Sequence, residues 1–419
     1  MIPYDKQGNE MKKKILFVYG IVILVIGLTI ACALPTVTQK QPSIEPTIAL
    51  ETQETLPEAD IPTEISADTP VPTASVMDVE SEDVSHPTNS GQISYLFDGK
   101  LWVYLVDNGE TFPIATFLEG DEYEPKYPRA KFSPDGRYLA FNLGTGSWIH
   151  DFQADNLIDF SPYGQFFDWA GTNTELFAIQ GEMECPAIEN LDDQLLLNFD
   201  IVRLDIENPS SFSLIANIGG GLRFVGTISQ NGEWASINSC GCYSECGPES
   251  LWHLPFLSVI APPAGVEGGN YAFSSDSQTM VFWSQQTYGY TESTLYSAAT
   301  DFHGYTALFF GTNAQPVNAL WSPDDNWIGF TSVHFDHEFV ETDRCVWIVK
   351  PDGSQLTRVE CGFSDLVAWS PDSDQILFSK AEGAIEHLYI YNTISGSRTA
   401  IPVQVNPYSH MFIDWGRLP

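Results

Sequence analysis

The sequence predicts an all-β fold, a seven-bladed β-propeller of four-stranded antiparallel blades, and three observations carry that expectation. A ten-residue pattern recurs along the chain with a period near 45. Each recurrence opens a unit of four short apolar runs punctuated by turn residues. The last recurrence stops after one strand, whereas the folded region begins with three strands and no pattern ahead of them.

The pattern is clearest in "FSPDGRYLAF" (132–141), "WSPDDNWIGF" (321–330) and "WSPDSDQILF" (369–378). "ISQNGEWASI" (228–237) and "FSSDSQTMVF" (273–282) are weaker copies, "WAGTNTELFAI" (169–179) is a degenerate one, and "FIDWG" (412–416) begins a seventh. The aligned small residues are Ser133, Ala170, Ser229, Ser274, Ser322, Ser370 and Gly416, spaced by 37, 59, 45, 48, 48 and 46. Within one unit, "VNALWS" alternates as a strand should and "PDDN" is a turn. "WIGFTS" and "CVWIVK" are the second and third strands, "PDGS" is a hairpin turn and "QLTRVE" is the outer strand. No such blade can bury both faces alone, so neighbours must stack. "ISYLF", "KLWVYLV" and "FPIAT" at the start of the folded region supply the three strands that "FIDWG" lacks. The C-terminal strand is therefore expected to complete a composite blade, closing the ring and removing its edges.

The W/F-S-P-D-G/D pattern followed by an apolar strand resembles the TolB-type, WD-repeat-like propeller family over residues 92–419. Ser133-Pro134-Asp135-Gly136 is nearest the consensus; Ser322-Pro323-Asp324 and Ser370-Pro371-Asp372 lack the glycine, and the blades around Trp169, Ile228 and Phe273 depart further. The resemblance implies a six- or seven-bladed propeller used mostly for binding, with no specific partner. Ser133, Asp135, Ser322, Asp324, Ser370 and Asp372 are read as turn caps, because short polar side chains satisfy tight turns. The Trp or Phe before each Ser is expected to pack between blades. Sialidase-type Asp boxes need Ser-x-Asp-x-Gly-x-x-Trp, and here Gly136 follows Asp135 directly.

Residues 1–34 read as a signal peptide or membrane anchor: Lys12, Lys13 and Lys14 precede twenty uncharged residues. "LTIAC" resembles a bacterial lipobox, which implies lipidation at Cys32, although Thr29 stands where the family usually has Leu. An uncleaved helix is the alternative, since twenty residues at ~1.5 Å each cross a bilayer core. Both readings leave the remaining chain outside the cytoplasm and tethered to the membrane. Residues 35–91 are rich in Pro, Thr and Glu and nearly free of aromatics, and they read as a disordered linker.

Fifty-five acidic residues against 18 basic ones give a formal charge of −37. That excludes nucleic acid, which needs a basic footprint, and disfavours charge-driven docking on anionic lipid. Cationic partners, divalent ions and uncharged glycans remain open, as does acidity that serves solubility alone.

The connections between second and third strands differ most among blades. The composite blade has "FDGK", whereas later blades have "QGEMECPAIENLDDQLLLNFD", "NSCGCYSECGPES", "SQQTYGYTEST" and "SVHFDHEFVETDR". In a meander they all emerge on one face, the expected binding face. Cys345 and Cys361 lie symmetrically about Gly353 and are expected to face each other across a hairpin as a disulfide. Cys185, Cys240, Cys242 and Cys246 fall on adjacent loops; two further bridges and a four-cysteine zinc site both fit. Tyr288 and Tyr290 of "TYGY", with His334, Asp336 and His337 of "HFDHEFVETD", are candidate binding residues, the latter set against a plain solvated acidic loop.

Prolyl-oligopeptidase-like enzymes carry related propellers before an α/β-hydrolase domain, but this sequence has no Gly-x-Ser-x-Gly. Some related propellers are lyases with a metal held by several histidines. Here His150, His253 and His387 fall on or beside third strands and His303 in an outer turn, leaving His410 near the channel mouth. The expected function is an extracytoplasmic, monomeric binding module for an envelope protein or glycan, with no catalytic residues, no cofactor and no metal. The alternative is a surface carbohydrate-active lyase or hydrolase, marked by convergent carboxylates or histidines at the channel mouth.

Overall fold

The computed structural model describes residues 91–116, 129–143, 146–181, 199–219, 222–240, 249–263, 266, 268–285, 292–383, 385–406 and 410–419. They form seven four-stranded antiparallel sheets, the blades of a propeller. The first blade is composite: β1 (Gln92–Phe97), β2 (Lys100–Leu105) and β3 (Thr111–Thr116) are joined on the inside by β28 (Asp414–Gly416). The second holds β4 (Ala130–Phe132), β5 (Tyr138–Leu143), β6 (Gly146–Asp151) and β7 (Asn156–Asp159), and the third β8 (Gln165–Trp169), β9 (Glu175–Gln180), β10 (Phe199–Asp205) and β11 (Phe212–Ile218). The fourth holds β12 (Leu222–Ile228), β13 (Trp234–Cys240), β14 (Ser250–His253) and β15 (Ser258–Ile260), and the fifth β16 (Gly268–Phe273), β17 (Thr279–Gln285), β18 (Glu292–Ala299) and β19 (Tyr305–Thr312). The sixth holds β20 (Ala314–Trp321), β21 (Ile328–Phe335), β22 (Glu341–Val349) and β23 (Thr357–Glu360), and the seventh β24 (Ser364–Trp369), β25 (Gln375–Glu382), β26 (Ile385–Asn392) and β27 (Arg398–Val405).

The repeated motif is the turn from first to second strand, and its chemistry is local. The N–H groups of Ser133, Ser229, Ser274, Ser322 and Ser370 each donate to the carbonyl five residues on. Each hydroxyl accepts from the N–H of that same later residue, at 2.9–3.0 Å. Ser133, Ser274 and Ser322 donate to Asp135, Asp276 and Asp324 at 2.6–2.7 Å, and those carboxylates accept the N–H two residues further on. The serine hydroxyl and the carboxylate are engaged by the turn itself, which is why the motif serves as scaffold. The seventh blade corrects one expectation: Ser370 reaches Asp374, at 3.4 Å, instead of Asp372. Two carboxylates crowd that turn. Burial and the neighbouring Asp372 push the Asp374 carboxyl up to about 6.

The motif tryptophans sit between blades. Trp169, Trp321 and Trp369 donate their indole N–H to the carbonyls of Lys131, Ala272 and Leu320 on the preceding inner strands, at 3.0, 3.1 and 3.2 Å. Trp169 and Trp369 are buried and Trp321 is half-buried, so each supplies both apolar area and a polar stitch to the blade before it.

The ring closes through the composite blade. Gln92, Ile93 and Ser94 pair with Gly416, Trp415 and Asp414. Gln92 Nε2 donates to the carbonyls of Gly136 and Arg417, and Ser94 Oγ donates to Phe412 and accepts from the Asp414 N–H. The antiparallel order puts the motif turns on one face and the second-to-third connections, with the links between blades, on the other.

The connection in the sixth blade is shorter than the sequence suggested. Pairing of His334 with Asp343 and Phe335 with Glu341 extends both strands, leaving a turn at residues 336–340. Asp336 Oδ1 accepts the N–H groups of Glu338 and Val340, closing that turn on itself. Polar, charged letters at a strand end read as loop, but backbone pairing carries them into the sheet.

Candidate functional site

On the loop face, charged side chains from the sixth and seventh blades meet at the inner rim. Arg344, near the start of β22, forms a two-point contact with Glu341, 2.7 and 3.1 Å. It also reaches across the blade junction to Asp365 on the innermost strand β24, at 2.9 and 3.2 Å. Asp365 is buried, so the guanidinium is its charge partner in a dry setting. Arg344 is held firmly protonated, first by the Glu341 hydrogen bond.

His410 lies on the link that precedes β28. Its Nε2 faces Glu386 Oε2 at 2.7 Å and Ser379 Oγ at 3.0 Å. Burial disfavours the imidazolium, but the Glu386 hydrogen bond and the negative charges of Glu386 and Asp365 outweigh it, against opposition from Arg344; the net shift is upward. One nitrogen serves both Ser379 and Glu386. A serine nucleophile relay needs the two imidazole nitrogens on opposite partners, so this is not a triad. It is a histidine–carboxylate pair able to hold a proton at the rim.

On the inner strands the residues two before Ser133, Ala170 and Gly416, namely Lys131, Asp168 and Asp414, form a second set of charges. Lys131 Nζ meets Asp168 at 2.8 Å, with Arg129 4.0 Å from the same carboxylate. Arg129 stacks over Phe167 and donates to the carbonyls of Phe167 and Gly226, bridging three inner strands. Asp414 accepts the Phe132 N–H at 2.8 Å. Burial holds its carboxyl above the ordinary range, Lys131 pulling the other way. The equivalent positions of the fifth, sixth and seventh blades are Ala272, Leu320 and Ala368. These inner-strand positions are thus ionic in the first three blades, Thr227 in the fourth and apolar in the last three.

Cys345 and Cys361 form a disulfide between β22 and the residue after β23. Asp343 clamps the same spot: its Oδ1 accepts the N–H groups of Arg344, Gly362 and Phe363 at 2.8, 2.8 and 3.1 Å. Bridge and clamp together hold the link that carries Asp365 beside Arg344.

Among the residues singled out from sequence, His334 turns back onto Ser332 Oγ, Asp336 is spent on its own turn, and exposed His337 approaches only Glu338, at 3.7 Å. They do not converge. Cys32, Cys185, Cys242, Cys246, Tyr288 and Tyr290 lie outside the described residues, as does the side chain of Cys240. His150 and His387 sit on third strands and His253 ends one, as expected, and His303 pairs with Asp301 in an outer turn. Arg344, Asp365 and Glu386 escaped the sequence reading, which found only His410 of this cluster. They come from separate strands of two blades, and the one available signal was their placement beside a second-to-third connection or at an inner-strand start.

The fold and this rim define a seven-bladed β-propeller with a charged loop face. A scan against protein-family models finds no match, and a search of curated proteins finds none either. Among solved structures the chain is similar to TolB from Acinetobacter baumannii, with 13% identity, coverage of 78% of this chain and 82% of that one, and a TM-score of 0.41. It is similar to an oligogalacturonate lyase in complex with manganese at 12% identity, 74% and 84% coverage and a TM-score of 0.50. Similarity to a prolyl endopeptidase, at 11% identity and a TM-score of 0.52, covers 76% of this chain but 51% of that enzyme. At such identities the likeness shows the fold alone.

Proposed function

We propose that this chain is an extracytoplasmic binding module, tethered to the membrane through its N-terminus, that takes an envelope protein or glycan on the inner rim of its loop face. The observation that carries the reading is the asymmetry of the two faces. The motif face is built of turns whose polar groups satisfy one another, whereas the loop face gathers Arg344, Glu341, Asp365, His410 and Glu386 at its inner edge. A disulfide supports an oxidising compartment outside the cytoplasm. The test is retention of the full-length protein on a glycan array and its crosslinking in intact cells, each repeated with Arg344→Ala. Loss of one defined ligand in the variant is expected; identical retention by both proteins sinks the reading.

A second reading is favoured by the His410–Glu386 pair: a surface carbohydrate-active enzyme, with His410 exchanging a proton with bound glycan. Its assay is release of unsaturated products or new reducing ends from acidic and neutral polysaccharides. Turnover abolished in His410→Ala establishes it, and no turnover on any of them removes it.

A further inference from the structure

Asp343, Cys345 and Cys361 are, among the described residues, the one group of His, Cys, Asp and Glu side chains whose ligand atoms converge, all within 4.8 Å of one another. Asp343 and Cys345 stand two residues apart on β22, hence on one face of the strand, and Cys361 comes from the opposite arm of the hairpin. The Asp343 carboxylate is oriented with its two oxygens in different roles. Oδ1 takes three backbone N–H groups, which fix the plane of the group. Oδ2 is left facing Cys345 Sγ at 3.6 Å. A disulfide sulfur carries no hydrogen, so that approach is not a hydrogen bond. The backbone holds an acceptor oxygen against a sulfur that offers it nothing while the bridge is intact.

We propose that this hairpin is a redox-gated zinc site: closed as the Cys345–Cys361 disulfide, and opened by reduction to a three-ligand Cys2Asp site for Zn²⁺. Reduction by a dithiol proceeds by exchange. The donor's two thiols become a disulfide, and the two electrons and two protons pass to Cys345 and Cys361. Zn²⁺ then displaces both thiol protons and bonds two thiolates and Asp343 Oδ2, with water completing the tetrahedron. The distances suit it: Zn–S of ~2.3 Å and Zn–O of ~2.1 Å set a tetrahedral S···O separation of ~3.6 Å. That is the spacing already present between Oδ2 and Cys345 Sγ. The two sulfurs need only part to ~3.8 Å on breaking their bond. The N–H groups on Oδ1 act as the outer shell that orients a metal-bound carboxylate. The next residue along β22, Arg344, links the site to Asp365, so metal binding registers at the inner rim.

The test uses the full chain reduced with a phosphine under anaerobic conditions, titrated with Co²⁺ as the spectroscopic probe and then with Zn²⁺. The other cysteines are present in every sample, so the readout is the difference between wild type and the Cys345→Ser/Cys361→Ser pair. Expected are one additional Zn²⁺ equivalent and a stronger cobalt–thiolate charge-transfer band in reduced wild type, both lost on reoxidation. Asp343→Asn keeps the Oδ1 acceptor and removes only the Oδ2 ligand; it should fold normally and bind the extra ion at least ~10-fold more weakly. Equal stoichiometry and spectra in reduced wild type and the double serine variant overturn the proposal. So does an Asp343→Asn protein with undiminished affinity.

Discussion

Gly136→Ala tests ring closure. Gly136 has φ of +78°, in the left-handed region that disfavours a Cβ, and a Cβ built there would lie 2.6 Å from the Arg417 carbonyl carbon and closer still to its oxygen. The backbone conformation alone costs about 1 kcal/mol. Relieving the clash parts the turn from the C-terminal tail, and so separates the Gly136 and Arg417 carbonyls, the two acceptors that Gln92 Nε2 bridges. Loss of one of these hydrogen bonds, about 1 kcal/mol, and overpacking against backbone, about 1 kcal/mol or more, bring the total to about 3 kcal/mol. An internal control is built into the repeat. Gly232 occupies the same turn position in the fourth blade with φ of +75°, but its added Cβ would meet the Phe177 ring edge at 3.1 Å instead of backbone. Gly232→Ala should therefore lose about 1–2 kcal/mol. In urea, with an m-value of about 3 kcal/mol/M, Gly136→Ala lowers the unfolding midpoint by about 1 M and Gly232→Ala by about 0.3–0.7 M. Equal midpoint losses would refute the role of the tail contact, because both variants share the turn and its backbone angle.

His410 titrates above its ordinary value in the folded protein, so its contribution to stability is fully present below about pH 6.5 and is lost as pH rises through the folded value. Urea midpoints across pH 5.5–9 should show this decline in wild type and a flatter profile in Glu386→Gln; parallel profiles contradict the pairing. Asp414 is an acid raised by burial, so its penalty is absent below the ordinary Asp range, grows as pH rises from there toward its folded value, and is constant above it. Asp414→Asn should gain stability relative to wild type on going from pH 4 to pH 8 in the same assay, and a constant difference speaks against it. Trp369→Phe removes the indole donor to the Leu320 carbonyl and should cost about 1–2 kcal/mol by chemical denaturation. A cost near zero would mean that the stitch between blades is apolar contact alone, as it is where Phe132 fills the equivalent place.

The turns of the repeat use different residues for one backbone shape, and the difference has a cause. Gly136 and Gly232 take the left-handed position at low cost, whereas Ser277, Asp325 and Ser373 adopt φ of 60°, 57° and 69° there. Each of the three repays its strain with a hydrogen bond to a neighbouring blade: Ser277 Oγ accepts from Asn231, Ser373 Oγ from Asp324, and Asp325 takes both the N–H and hydroxyl of Ser275. The missing glycines of the fifth, sixth and seventh blades are therefore contacts between blades, a meaning the aligned letters do not carry.

The sequence by itself determined the blades, their number, the composite closure and the Cys345–Cys361 pairing. Each rests on chemistry that acts over a few residues: a serine and a carboxylate closing a turn, alternation along a strand, two positions equidistant from a hairpin tip. Even there the local reading overshot where pairing could override it, as when His334 was drawn into β21 and Asp374 displaced Asp372. Only the tertiary structure decided which side chains meet on the loop face. Arg344, Asp365, Glu386 and His410 stand on different strands and links, brought together because stacked blades place the inner ends of those strands side by side. The Asp343 oxygen turned toward the disulfide was equally invisible, since three backbone N–H groups from two segments aim it. A repeat records what every blade needs in order to fold. What a single blade does with its rim depends on distances across blade junctions, and no linear spacing encodes those.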